Sequence, residues 1–392
     1  MDLPLFLIMA WLVALFLFVI IYFGYFLLVY ILAKLKTKPV QKSDSFMPFI
    51  SILIPCYNVE SFIDRKIEET LEIVYPRNRF EVIAIESGSE DNTYMKLSKY
   101  SYEGKIKLIK QLERLGKASA INIGLERCKS DIVVLTDADA RLEKDSVREL
   151  VKNFADPEVG AVVGNLTITS DKSVVGKMNH LFFQIFRQKV RMWESSLDSV
   201  SFLSGELCAF RKSVLGKLEE NIINDDRFIL LKTRSVGLRC VCEPLARVYE
   251  GTPAGFSAQI IQKRRTTTGA IQGTVRFKHL LLKPKYGFFG MLILPSYLFR
   301  VILLPFLLFF LEVLTPIVVW ILWFSSGPVW LSVGIATLLF LGLFESGRKL
   351  LLSLFYGLIV QTAIFAGITD YILRKRSVLW PKVDKACDKA VW

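Results

Sequence analysis

Two carboxylates one residue apart, Asp137 and Asp139, close the stretch DIVVLTDADA. The apolar run ahead of them reads as a strand buried on both faces. Asp-x-Asp on extended backbone sends both side chains the same way, and a buried strand should not end in paired negative charge unless something positive meets it there. Mg²⁺ or Mn²⁺ suits that role, because a hard cation takes a few protein oxygens and fills its shell with phosphate and water. Asp137 and Asp139 are therefore candidate metal ligands, with a diphosphate as the cation's cargo.

The elements that would hold this pair follow an alternating pattern. FISILIP, FEVIAIES, KIKLIKQ, DIVVLTDAD and VGAVVGNLTIT read as strands, while VESFIDRKIEETLEI, DNTYMKLSKY, KASAINIGLERC and EKDSVRELVKNFA carry helical spacing between them. Such alternation predicts an α/β domain with a mostly parallel sheet and helices on both faces. Three polar clusters each follow a predicted strand: PCYN (Pro55 to Asn58), ESGSEDN (Glu86 to Asn92) and DAD. The carboxyl edge of such a sheet is where ligands bind.

Composition sets the surroundings. The chain has 392 residues, 52% of them hydrophobic, yet carries a net charge of +13. From Leu3 to Ala33 there is no charged residue, more than the roughly 20 residues a bilayer crossing needs. Lys34, Lys36 and Lys38 follow at once, which predicts a retained anchor with the next domain in the cytoplasm. A second apolar block from about Tyr286 to Leu373 has room for three or four crossings, and a basic tail follows. The stretch from Met178 to Trp193 suits a helix in the membrane interface or one packed in the core. Six cysteines without a CxxC pair, and only His180 and His279 as histidines, argue against zinc and for cysteines used as small apolar residues. No stripe of mixed aromatic and basic residues supports nucleic-acid binding.

In their order along the chain, SILIPCYNVE, AIESGSEDNT, GKASAINIGLE, VVLTDADA, FLSGELCAFRKSVL, INDDRFILLKTRSVGLRCVCEP and QIIQKRR resemble the motifs of membrane-bound family 2 glycosyltransferases. The synthases of hyaluronan, cellulose and poly-N-acetylglucosamine are the group most resembled. The resemblance covers residues 49 to 270 by motif and the flanking apolar segments by layout. It implies a GT-A type, Rossmann-like domain (46–250) between a membrane anchor (1–36) and carboxyl-terminal membrane helices (286–374), joined by an interfacial segment (251–285) and ending in a basic cytoplasmic tail (375–392).

Carried over residue by residue, the resemblance places Tyr57 and Glu86 at the nucleotide base and ribose, with Pro55 among the substrate-binding residues. Lys117 and Asn122 would follow the donor and its phosphates, with Asp137 near the nucleotide and Asp139 on the metal. Gly205 would be a substrate-side turn. Asp226 takes the general-base position. Gln262, Arg264 and Arg265 correspond to the QxxRW motif, the arginines suiting phosphate oxygens. The implied activity is inverting transfer from a nucleotide sugar, expected to be a UDP-sugar, to a polysaccharide or glycolipid hydroxyl at a multi-pass cell membrane. Transfer to a polyprenyl phosphate and an inactive membrane scaffold are the alternatives. This chain departs from the family in Glu86-Ser87 for an Asp pair, in Asp225-Asp226 for Glu-Asp, and in Thr266 where the motif has Trp.

Overall fold

The computed structural model describes residues 3–169, 188–253, 255–326, 361–374, 378–379 and 385–386. A long apolar helix, Leu3–Leu35 (α1), opens the chain. Strands Ile50–Cys56 (β1), Phe80–Ser87 (β2), Lys107–Gln111 (β3) and Ile132–Leu135 (β4) then form a parallel half-sheet in the order β3-β2-β1-β4. Between them lie helices Ile63–Leu71 (α2), Thr93–Tyr102 (α3) and Lys117–Arg127 (α4). Ile52, Ile54, Ile132 and Val134 face one core with Ile63 and Ile67 of α2. Leu53, Val133 and Leu135 face the other with Ile121 and Leu125 of α4. Burial on both faces explains the uninterrupted apolar runs of β1 and β4. A side chain as enclosed as Leu53, 0% exposed, contributes about 1.5–3 kcal/mol by leaving water.

The second half of the sheet is mixed. Ser146–Lys152 (α5) precedes Val159–Thr169 (β6), and Lys189–Leu197 (α6) precedes Cys208–Arg211 (β7). β7 runs antiparallel to both β4 and β6, whereas β6 pairs in parallel with Arg239–Pro253 (β8). The two-residue strand Arg141–Leu142 (β5) and the tail strand Lys385–Ala386 (β9) each pair antiparallel to β8. The predicted parallel arrangement thus holds for the β1–β4 half. β7 departs from it by running antiparallel to both of its neighbours, β4 and β6.

Helices Asp225–Ser235 (α7) and Gly255–Arg276 (α8) follow, then Phe289–Leu322 (α9) and a helix at 361–372 (α10). At 33 and 34 residues, α1 and α9 each extend about 50 Å, longer than a bilayer core. They meet where Trp11 Nε1 donates to Thr315 Oγ1 at 2.9 Å. The Glu194 carboxylate, 0% exposed, ties both to the α/β domain. It accepts from Tyr25 OH at 2.5 Å and from Ser201 N at 2.7 Å, with Arg300 Nη2 at 3.5 Å. In α6, Val190 and Arg191 are buried, so that part of the Met178–Trp193 stretch packs inside the protein; residues 178–187, like residues 327–360 of the second apolar block, lie outside the described residues. Cys56, Cys128, Cys208, Cys240 and Cys242 are free and buried, as expected of small apolar residues.

Candidate active site

β1 is flanked by β2 on one side and β4 on the other, so the strand order reverses there and opens a crevice at the carboxyl edge. The register sets Cys56 beside Glu86 and Leu53 beside Leu135, which brings the three polar clusters to one level. Their loops are stitched together. Asn58 Oδ1 accepts from Glu90 N at 2.8 Å, Val59 N donates to Thr93 Oγ1 at 2.8 Å, and Glu60 Oε2 accepts from Asn92 N at 3.0 Å. Gly88 has φ +67, and a Cβ there would stand 3.1 Å from Arg114 N, so a glycine lets the segment ahead of α4 approach this closely.

The result is a cleft of 380 Å³. Pro55, Tyr57, Lys117, Asp137, Asp139, Gly205, Asp226, Gln262 and Arg265 all line it. Lys117 is its electrostatic centre, with Nζ 2.7 Å from Asp137 Oδ1 and 3.2 Å from Asp225 Oδ2. Burial disfavours its charge, but Asp137 and Asp225 outweigh that and hold the ammonium well above its usual range. A Cβ on Gly205 would meet Lys117 Nζ at 2.8 Å, which is why that wall is bare. Lys117 also begins α4, whose first turn (Gly116 to Ala118) lines the cleft. The unpaired N–H groups of such a turn suit a phosphate.

Asp226 stands in the first turn of α7, where Arg227 N donates to its Oδ1 at 2.6 Å. From there its side chain lines the cleft. Burial, then the charge of Asp225, push it up to about 7, with Lys117 pulling the other way. A carboxyl so placed is poised to take a proton near neutral pH.

Three predicted site residues lie elsewhere. Glu86 is 1% exposed and accepts from Ser89 N, bracing the loop rather than lining the cleft. Asn122 clips the chain ahead of α7, donating to Leu218 O and accepting from Leu218 N, both at 2.8 Å. Arg264 turns away and pairs with Asp370 of α10. Thr266 does line the cleft. Trp193 packs edge-on to Tyr30 at 5.0 Å, and Phe202 lies under the Arg191 guanidinium at 4.0 Å, so neither supplies an aromatic face beside Thr266. Sequence reasoning missed Arg114, stacked on the Tyr57 ring at 4.0 Å, although its charge two residues before Gly116 was a signal. It also missed Asn224, although the INDDRFILL motif contains it, and Glu250, Val378 and Leu379 on the cleft wall, which no motif marks.

Beneath the acid pair sits Lys66, 1% exposed. Its Nζ donates to Thr136 Oγ1 at 2.8 Å and to Ala140 O at 2.6 Å, gripping the loop on both sides of Asp137 and Asp139. Thr136 Oγ1 in turn donates to Glu206 O at 2.7 Å, so one amine registers two cleft walls. Burial pushes Lys66 down to about 8. Lys66→Met is expected to leave the thermal midpoint close to the parent's, because removing a buried charge offsets the lost hydrogen bonds. Ligand turnover at the cleft should fall on the order of a hundredfold as the loop loosens; comparing melting curves with steady-state rates checks this.

Asp137 and Asp139 both line the cleft as hard oxygen donors. Among the described residues no group of three or more His, Cys, Asp and Glu converges to hold an ion alone. Asp137 and Asp139 therefore offer two hard oxygens, a set that suits a cation completed by phosphate and water.

Residues 51–219 match the model of glycosyl transferase family 2. Poly-beta-1,6-N-acetyl-D-glucosamine synthase of Staphylococcus aureus (strain COL) is 27% identical over 256 residues, covering 64% of this chain and 61% of the relative. The Staphylococcus epidermidis enzyme of the same name is 25% identical over 252 residues, covering 62% and 61%. The match thus spans about 61% of the length of these relatives. Among solved structures, mannosyltransferase PcManGT from Pyrobaculum calidifontis, in complex with GDP-Man and Mn²⁺, aligns with a TM-score of 0.69 and 25% identity, covering 93% of this chain and 99% of that one.

Proposed function

We propose that this chain, whose residues 51–219 match the model of glycosyl transferase family 2, transfers a sugar, with inversion, from a nucleotide-sugar donor to a hydroxyl acceptor at a membrane. The observation that carries this reading is one cleft holding Asp226, the pair Asp137 and Asp139, and the cations Lys117 and Arg265. Asp226 takes the acceptor's hydroxyl proton as that oxygen attacks the anomeric carbon. The bond from that carbon to the β-phosphate oxygen breaks on the opposite face, and the nucleoside diphosphate leaves. Lys117, the first turn of α4 and Arg265 offset the charge growing on the leaving group. Asp137 and Asp139 would hold a Mg²⁺ or Mn²⁺ ion, which supplies further charge neutralisation at the diphosphate when bound.

The acceptor is a polysaccharide or lipid-linked glycan. α1 and α9 are long and apolar enough to cross a bilayer, and the positive charge of Lys34, Lys36 and Lys38 around the end of α1 supports an orientation with the α/β domain on the cytoplasmic side. A carboxylate raised toward neutrality favours a hydroxyl over an already ionised polyprenyl phosphate, which needs no base. Thr266 in the cleft favours addition of one or a few sugars over long-chain synthesis, since it offers no flat face for a pyranose. The solved neighbour's GDP-Man and the relatives' poly-N-acetylglucosamine product put both GDP- and UDP-sugars in the donor panel. Incubating the full chain in lipid nanodiscs with radiolabelled GDP-mannose, UDP-N-acetylglucosamine and other nucleotide sugars, then sizing the product, is expected to give labelled lipid-linked material a few sugars long. Absence of transfer from every donor would refute the reading.

A further inference from the structure

Arg264 belongs to the motif that carries Gln262 and Arg265, yet it does not reach the cleft. Its guanidinium grips both oxygens of Asp370 on α10, with Nη2 2.6 Å from Oδ1 and Nε on Oδ2. Asp370 is 4% exposed, and a buried carboxylate at the end of an apolar helix persists only with such a partner. The two helices touch closely at this point. Thr268 Oγ1 donates to Gly367 O at 2.9 Å, and a Cβ on Gly367 would stand 2.7 Å from Arg264 O.

Elsewhere around α8, the same helix holds the loop before α7. Asn224 Nδ2 donates to Thr266 O at 3.2 Å, Gln272 Oε1 accepts from Ile223 N at 3.0 Å, and Gln272 Nε2 donates to Asn221 O at 2.8 Å. Gly269 lies so close to Asn224 that any Cβ would overlap its side chain. α8 is therefore wedged between α10 and the segment that ends in Asp225 and Asp226.

We propose that Asp370 is a positioning residue: through Arg264 it fixes α8, and α8 sets both Arg265 at the leaving group and the loop that presents Asp226. The inference rests on the transferase reading above. The pair couples α10, the last helix among the described residues, to the chemistry without touching substrate.

The experiment uses the full chain in nanodiscs with Asp370→Asn, Arg264→Gln and the double variant. Each single change is expected to lower kcat on the order of tenfold, since small misplacements of reacting groups act mainly on the rate. The donor KM should stay within about twofold, and the double variant should be no slower than either single one, because both act through one contact. Hydrogen–deuterium exchange should quicken in residues 221–226, which do not touch Asp370, while binding of Mn²⁺ with GDP or UDP is retained. Unchanged kcat, additive losses, or loss of nucleotide binding in step with kcat would overturn the proposal. Unchanged exchange at 221–226 overturns it even if no donor supports turnover, an outcome that otherwise counts against the transferase reading alone. If Asp370→Asn does not elute as a monodisperse protein, Thr268→Val takes its place, and an unchanged kcat there is equally decisive.

Discussion

Asp226→Asn is expected to cut turnover on the order of a thousandfold while leaving the fold and nucleotide binding in place. A sugar hydroxyl is a weak nucleophile until its proton has somewhere to go, and the amide cannot accept one. The substitution is otherwise quiet: the amide oxygen of Asn can still accept from Arg227 N in the first turn of α7. The pH dependence has a definite sign. Asp226 is raised to about 7, so its basic form gains population as pH rises through neutrality, and kcat/KM should climb there and fall away on the acid side. Stability runs the other way. A carboxyl whose folded value lies above its unfolded one binds more protons when folded, so its contribution is present at low pH and is lost as pH rises from about 4 to 7. At pH 8 the Asn variant should therefore melt no lower than the parent, an inactive protein at least as stable as the active one. Rates within tenfold of the parent, or a flat pH profile in the parent, would remove Asp226 from the role of base.

The parts of this site that were legible in sequence are those fixed by local geometry. An apolar run that ends in carboxylates locates a strand and its carboxyl edge, so Asp137 and Asp139 were readable from DIVVLTDADA alone, as were the clusters at Pro55 and Ser87. Motif order added Lys117, Asp226, Gln262 and Arg265, and all four line the cleft. What the sequence did not disclose depends on partners distant along the chain. Glu86 and Arg264 carry the right charge in the right motif, but Glu86 is claimed by its own loop and Arg264 by Asp370, 106 positions away. No sequence feature marks Lys66, and it is the docking of α2 against the sheet that turns it inward. The antiparallel insertion of β7 was hidden for a similar reason: CAFR is four residues long, too short for periodicity to speak.

Asp139→Asn should reproduce the effect of a chelator. Asp137 and Asp139 are not equivalent in this cleft, because Asp137 is already engaged by Lys117 at 2.7 Å. Neutralising Asp137 would free Lys117 toward Asp225, 3.2 Å away, and so disturb the phosphate side as well as the metal side. Neutralising Asp139 leaves the ion pair of Lys117 with Asp137 intact and removes one of two hard oxygens from the cation's share. EDTA-treated parent enzyme is expected to lose turnover at least on the order of a hundredfold, and Mn²⁺ or Mg²⁺ should restore it. The Asn variant should start near the chelated level, recover only in part at high Mn²⁺, and bind Mn²⁺ more weakly by electron paramagnetic resonance in the presence of nucleoside diphosphate. Lys66 sharpens the comparison. Its buried amine opposes cation binding by charge while it holds the loop in shape by hydrogen bonds, so Lys66→Met should not mimic Asp139→Asn in Mn²⁺ affinity even where both slow the reaction. A parent enzyme that runs at full rate in EDTA, or an Asp139→Asn protein with parental Mn²⁺ affinity, would take the cation away from this pair of acids. Lys117, the α4 first turn and Arg265 would then have to carry the leaving group's charge by themselves.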